Sequence, residues 1–272
     1  MKHLKNWKVF NEGIMLDLLN SHLFGGKNPE ESVSKELGAS PVSGSIEVKD
    51  LSGEAAKNAG LIKKALNKHG MTNPYLQLAI LGCIGKESAL IPKNEYSYST
   101  TSNNRLRQLF GKRLSDLDDS ELDQLKKNDS AFYERIYGNR FGNKSEGDGY
   151  KYRGRGFNGI TFKANYEKMQ KMLNKAGVNV DIVNNPDKLN DPEIAAEVAA
   201  LFFKSSMDSP KLYQTFGIKD PNQFKNKDDA MQAVVNANAG WKDIPKSNEN
   251  YTRTLAYAEK FNVSPEGGPS MA

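Results

Sequence analysis

Two acids, Glu87 and Glu95, are the side chains in this sequence best placed to do chemistry together. Glu87 closes an apolar run that begins at Ala79 and continues through Ile84. Pro92 forbids that helix to continue, because proline lacks an N–H and clashes with the preceding turn. Glu95 then falls in a polar loop among Asn94, Tyr96, Ser97, Tyr98 and Ser99. An acid at the lip of a buried helix and another on the next loop can face each other across a cleft, as two-carboxylate glycoside hydrolysis requires. Greasy surroundings predict that Glu87 keeps its proton, and wet ones that Glu95 loses it, which divides the pair into acid and base.

A second constellation is YKYRGRGFNGIT, residues 150–161. Its Gly154-Arg155-Gly156-Phe157-Asn158-Gly159 matches the dinucleotide pattern GxGxxG in form only, since no apolar strand precedes it and no strand–helix alternation surrounds it. Glycines flanking Arg155 instead let the backbone lie close to an extended ligand while the guanidinium buttresses a carboxylate. The plainer reading is a glycine turn whose arginines meet solvent. His3, His22 and His69 do not cluster with each other or with Cys83 at metal-ligand spacing, so no metal and no cofactor is expected. The acidic stretch from Asp116 to Asp123 lacks the glycine and ligand spacing of a calcium loop and reads as a solvated helix start.

The elements that must position these residues have a helical period nearly throughout. Trp7, Phe10, Ile14 and Leu18 mark an amphipathic helix within residues 1–26, either packed on its own domain or docking on a partner. Residues 27–51, with Pro29, Gly38, Pro41 and Gly44, read as a linker. Ser52 caps a helix that stops at Gly70, and Asn73-Pro74 starts the one bearing Glu87. Further helices are expected at 103–112, 130–137, after a cap at Thr161, after Asp191-Pro192, at 228–238 and at 248–261. Residues 264–272 read as a disordered tail. The fold class is mainly α, with a small hairpin near 137–160 the one β feature considered. A catalytic domain would then span residues 52–263.

Composition sets the outer bounds. The 272 residues suit one domain of about 200 residues with appendages. The single cysteine, Cys83, excludes an internal disulfide framework, and its apolar neighbours suggest a buried thiol. No apolar run approaches the roughly 18 residues of a membrane span, and polar residues interrupt any signal-peptide core near the start. The expectation is synthesis and folding in a cytoplasm. A net charge of +5 favours anionic surfaces, nucleic acid and cell wall alike, but the basic residues form no sustained block. Nucleic acid is not expected as a partner.

Four stretches together resemble glycoside hydrolase family 19, the family of plant-type chitinases and many phage endolysins. They are IGKESALIPKNEYSYS (84–99), YGNRFGNKSEGDGYKYRGRGFNGITFKANY (137–166), NPDKLNDPEIAAEVAALFF (185–203) and VVNANAGW (234–241). The resemblance runs over about residues 56–262, and the central loop is similar to the phage and bacterial lysin branch. It implies a lysozyme-like, mainly helical fold of two lobes around a substrate cleft, and inversion at the anomeric carbon. It implies Glu87 as general acid and Glu95 as general base. A hydroxyl in the Tyr98-Ser99 region, or that of Ser97 or Thr100, would hold the attacking water. Arg155 would support the acid, while Tyr98, Asn158, Thr161, Asn165, Tyr166 and Asn238 would contact or frame the sugar. Where the family usually has His, Gln and Gly, this chain has Lys86, Gly159 and Ala239.

The function implied is a peptidoglycan hydrolase cutting between N-acetylmuramic acid and N-acetylglucosamine. It would be phage-encoded, acting on the wall as a virion part or after release at lysis. Residues 1–24 would suit docking on a phage tail or capsid protein. The competing readings are a wall-binding or virion protein that has lost turnover, and a chitinase.

Overall fold

The computed structural model describes residues 44–265. The helix expected before residue 26, most of the expected linker and the end of the tail lie outside them. Over the described residues the chain divides into two units, one of residues 91–201 and one of 44–90 with 202–265. The architecture is mainly α.

The unit of residues 44–90 and 202–265 is built around one helix buried on every side. Strand β1 (Gly44–Val48) leads into α1 (Gly53–Lys68) and then α2 (Pro74–Ser88). Asn73 caps α2 by accepting from the Leu76 N–H, and Pro74 occupies its first turn, as the sequence predicts. Leu76, Leu78, Ile80, Leu81 and Ile84 are all at most 4% exposed. Each such aliphatic side chain withdrawn from water stabilises the unit by about 1.5–3 kcal/mol. Around α2 pack α10 (Lys227–Asn238) and α11 (Glu249–Ala258). Gly82 makes the close approach to α11 possible, since a Cβ there would stand 2.7 Å from the Thr254 carbonyl oxygen. β2 (Phe261–Pro265) pairs antiparallel with β1, Gly44 opposite Pro265 and Val48 opposite Phe261. β1 therefore falls in the stretch read as linker, and β2 runs into the expected tail. Their partners lie at opposite ends of the chain, which local pattern cannot reveal.

The unit of residues 91–201 holds α3 (Asn103–Phe110), α4 (Asp119–Leu125), α5 (Asp129–Tyr137), α6 (Asp148–Lys151) and α7 (Lys163–Lys175). The acidic stretch is a helix start: Asp118 and Glu121 form a reciprocal capping box on α4. An aromatic cluster of Tyr98, Phe110, Phe132, Tyr133, Tyr137 and Phe162 makes the core here. Between residues 137 and 160 the backbone forms two isolated bridges, Arg140 with Asn143 and Arg155 with Ile160, in place of a hairpin with strands. Glycines at positive φ, among them Gly142 and Gly156, keep turning this stretch before a ladder can extend. Thr161 does not cap α7; its hydroxyl donates to the Gly159 carbonyl at 2.9 Å. The cap comes from Asn143, whose Oδ1 accepts from the Lys163 N–H at 2.9 Å while its Nδ2 donates to the Tyr137 carbonyl. α8 (Pro192–Met207) runs from this unit into the other, where α9 (Pro210–Phe216) follows it.

Candidate active site

Glu95 is drawn out of water by the aromatic cluster. It is 6% exposed, and its carboxylate accepts three hydrogen bonds. The hydroxyls of Tyr98 and Tyr137 both donate to Oε1, at 2.5 and 2.8 Å. The Gly154 N–H donates to Oε2 at 3.1 Å, and the Gly154 carbonyl accepts from the Glu95 N–H at 2.8 Å. Burial pushes the carboxyl above the usual glutamate range, although those three donors and the Arg153 charge pull the other way. Burial and the Glu95 charge together hold Tyr98 and Tyr137 well above the ordinary phenol range, so both remain donors. The wet setting expected for Glu95 is therefore corrected. The neighbours that bury it, Tyr133 and Tyr137, come from α5, far along the chain.

The glycine–arginine segment meets Glu95 through the backbone of Gly154 rather than through a guanidinium. Arg155 is 2% exposed and pairs with Asp187, Nε to Oδ1 at 2.8 Å. It also donates to the carbonyls of Lys151 and Arg153 and to the Tyr166 hydroxyl, which in turn donates to the Arg153 carbonyl. Arg155 and Tyr166 thus fix the loop that presents Gly154. Tyr166 and Thr161 are fully buried, so they frame this segment from behind and offer nothing to a sugar. Tyr98 is likewise committed, its hydroxyl to Glu95 and its ring to Phe110, Phe132 and Tyr133.

Other expected residues keep polar atoms to spare. Asn158 has both amide atoms buried without a hydrogen-bond partner. Asn165 donates through Nδ2 to the Thr161 carbonyl and leaves Oδ1 unpartnered, and Asn238, in the other unit, also has a free buried Oδ1. Buried amides are usually satisfied, so such groups suit a polar ligand. Ser99 is exposed, its Oγ 3.1 Å from that of Ser97, which donates to Asp129.

Glu87 lies in the last turn of α2, in the unit that does not contain Glu95. Its setting is not purely apolar, because Lys86 Nζ stands 2.7 Å from Oε1 and both side chains are buried, 2% and 7% exposed. Burial, the largest single influence, would lower Lys86, but the charge and hydrogen bond of Glu87 together with Cys83 outweigh it and hold the ammonium above the ordinary lysine range. Adjacent helix residues do not normally face each other, so nothing in the spacing announces this pair. Immediately beyond, Ala89 and Leu90 take positive φ, 55° and 60°, a strained exit that the Asn58 side chain secures by donating to the Leu90 carbonyl. Cys83, one turn before Glu87, is a buried thiol pushed up by burial to about 12.

What sequence reasoning missed here is Tyr133, Tyr137 and Asp187. Only the helical stripe of α5 hinted that Tyr133 and Tyr137 point inward. Among the described residues no group of three or more His, Cys, Asp or Glu side chains could hold a metal ion, and no helix is long and apolar enough to cross a membrane.

The site is thus a buried carboxylate gripped by two tyrosines in a mainly helical chain. The chain is similar to a glycosyl hydrolase family 19 domain-containing protein of Haemophilus influenzae, 34% identical over 130 residues. The match covers 46% of this chain and 62% of the relative, so the chain spans less than two thirds of that protein's length. No family model matches the chain.

Proposed function

We propose that the chain is a glycoside hydrolase acting on bacterial peptidoglycan, cutting between N-acetylmuramic acid and N-acetylglucosamine with inversion. The observation that carries this reading is the Glu95 carboxylate. Its burial raises its affinity for a proton, which suits a general base that must take one from water. Glu87 takes the part of the general acid, and the exposed Ser99 hydroxyl steadies the attacking water. Asn158, Asn165 and Asn238 offer unpartnered amide atoms to sugar hydroxyl and acetamido groups. The net charge of +5 favours a wall bearing peptide carboxylates over neutral chitin. The family resemblance and the Haemophilus relative support the hydrolase class. The lysin-like central loop supports a phage-encoded enzyme, made in the host and acting on its wall. Release of soluble fragments from purified murein tests this. Wild type should clear the suspension, while Glu87→Gln and Glu95→Gln should each lose at least about a hundredfold in rate. Equal clearance by all three would refute it.

A second reading draws on the Lys86–Glu87 pair. Both side chains are buried and held by each other, a structural use of Glu87 that favours a wall-binding protein without turnover. That reading predicts murein binding with no fragment release by wild type or either variant.

A further inference from the structure

Two tyrosines stand out as exposed large side chains, Tyr96 at 66% and Tyr150 at 37%. Each has a cation over one face of its ring, leaving the other face for a ligand. Lys93 Nζ is 4.8 Å from the centre of the Tyr96 ring, and the Arg153 guanidinium carbon is 4.1 Å from that of Tyr150. Both pairs are tied to Glu95. Tyr96 follows it in the chain, and the Tyr133 hydroxyl, 3.3 Å from the Glu95 carbonyl, donates to the Tyr96 carbonyl at 2.7 Å. Arg153 precedes Gly154, whose backbone holds Glu95 on both its N–H and its carboxylate. Tyr133 also joins the two sides, its ring 6.0 Å from that of Tyr150.

Packing holds Tyr150 in part, through Tyr133 and Arg153, but explains little of Tyr96, because an exposed ring gains little from folding. A saccharide explains both. The apolar face of a sugar ring settles on an aromatic side chain, and a guanidinium or ammonium at its edge takes a carboxylate. We propose that Lys93–Tyr96 and Arg153–Tyr150 form an anionic-sugar subsite flanking Glu95, one that selects glycans bearing carboxylates over uncharged N-acetylglucosamine polymers. N-acetylmuramic acid carries such a group on its lactyl ether, or on its peptide stem where the stem amidates the lactyl carboxyl. The inference rests on the glycan-hydrolase reading and names the residues that would set its substrate.

Binding is measured by calorimetry with full-length Glu95→Gln protein, so that turnover does not consume the ligand. The two probes are a murein tetrasaccharide and chitotetraose. The murein probe should bind about tenfold more tightly, as charge-assisted contacts to its carboxylates imply. Adding K93M and R153M together should remove that preference and leave chitotetraose affinity unchanged. K93M alone should remove part of it, with an unchanged unfolding midpoint showing that the fold is kept. Raising the salt concentration should erode the preference in the parent protein. A preference that survives both substitutions, an equal loss on both probes, or no binding of either probe would overturn the subsite. Failure of the hydrolase reading would show separately, as wild-type protein leaving murein and chitin intact.

Discussion

Glu95 carries a conflict that sets its chemistry. The aromatic cluster removes it from water, which favours its protonated form, while two phenols and a backbone N–H stabilise the charged one. Tyr137→Phe deletes one donor to the anion and leaves the burial in place, so the carboxyl should hold its proton still more tightly. If Glu95 is the base, the acid limb of kcat/KM against pH should move to higher pH in that variant; a move to lower pH would contradict the role. The Lys86–Glu87 pair makes a second residue-scale prediction. Removing one partner of a buried ion pair strands the other charge, at about 3–5 kcal/mol. K86M and E87Q should each lower stability by an amount of that order, and K86M/E87Q by clearly less than their sum, read by denaturant unfolding. The sign with pH follows from Lys86, whose folded pKa lies above its unfolded one. Its contribution is complete below the ordinary lysine range and is lost as pH rises through the elevated folded value, so wild type and K86M should converge only in strongly alkaline solution.

Helices carry these residues, and their limits follow rules that sequence obeys locally. Asn73-Pro74 opens α2, Asp118 with Glu121 opens α4, and Asn226 caps α10 through the Asp229 N–H. What sequence does not show is pairing at a distance. The cap of α7 comes from Asn143, the strand partners β1 and β2 meet from opposite ends of the chain, and the tyrosines that bury Glu95 sit on α5. Position of the acids was therefore legible, and their surroundings were not. Glu87 looked greasy because its helix is, yet the lysine beside it turns in to meet it. At this scale the helix bearing Glu87 depends on Gly82. Gly82→Ala would drive a methyl against the Thr254 carbonyl, a backbone atom that cannot swing aside. It should cost about 1–3 kcal/mol in urea unfolding, as overpacking does. An unchanged midpoint would show that α11 can shift freely.

For the molecule as a whole, the proposed activity is glycan hydrolysis, with the Lys93–Tyr96 and Arg153–Tyr150 surface beside Glu95 selecting one class of glycan. The chain's single cysteine plays no part in it, being sealed in α2 with a thiol that holds its proton. Products identify the bond that is broken, whatever the rate. Mass spectrometry of purified peptidoglycan digested by wild-type protein measures this most directly. New fragments should carry N-acetylmuramic acid at their reducing ends, and none should form with Glu95→Gln. Reducing-end N-acetylglucosamine, or no new reducing ends from the wild-type protein, would contradict the proposed cleavage.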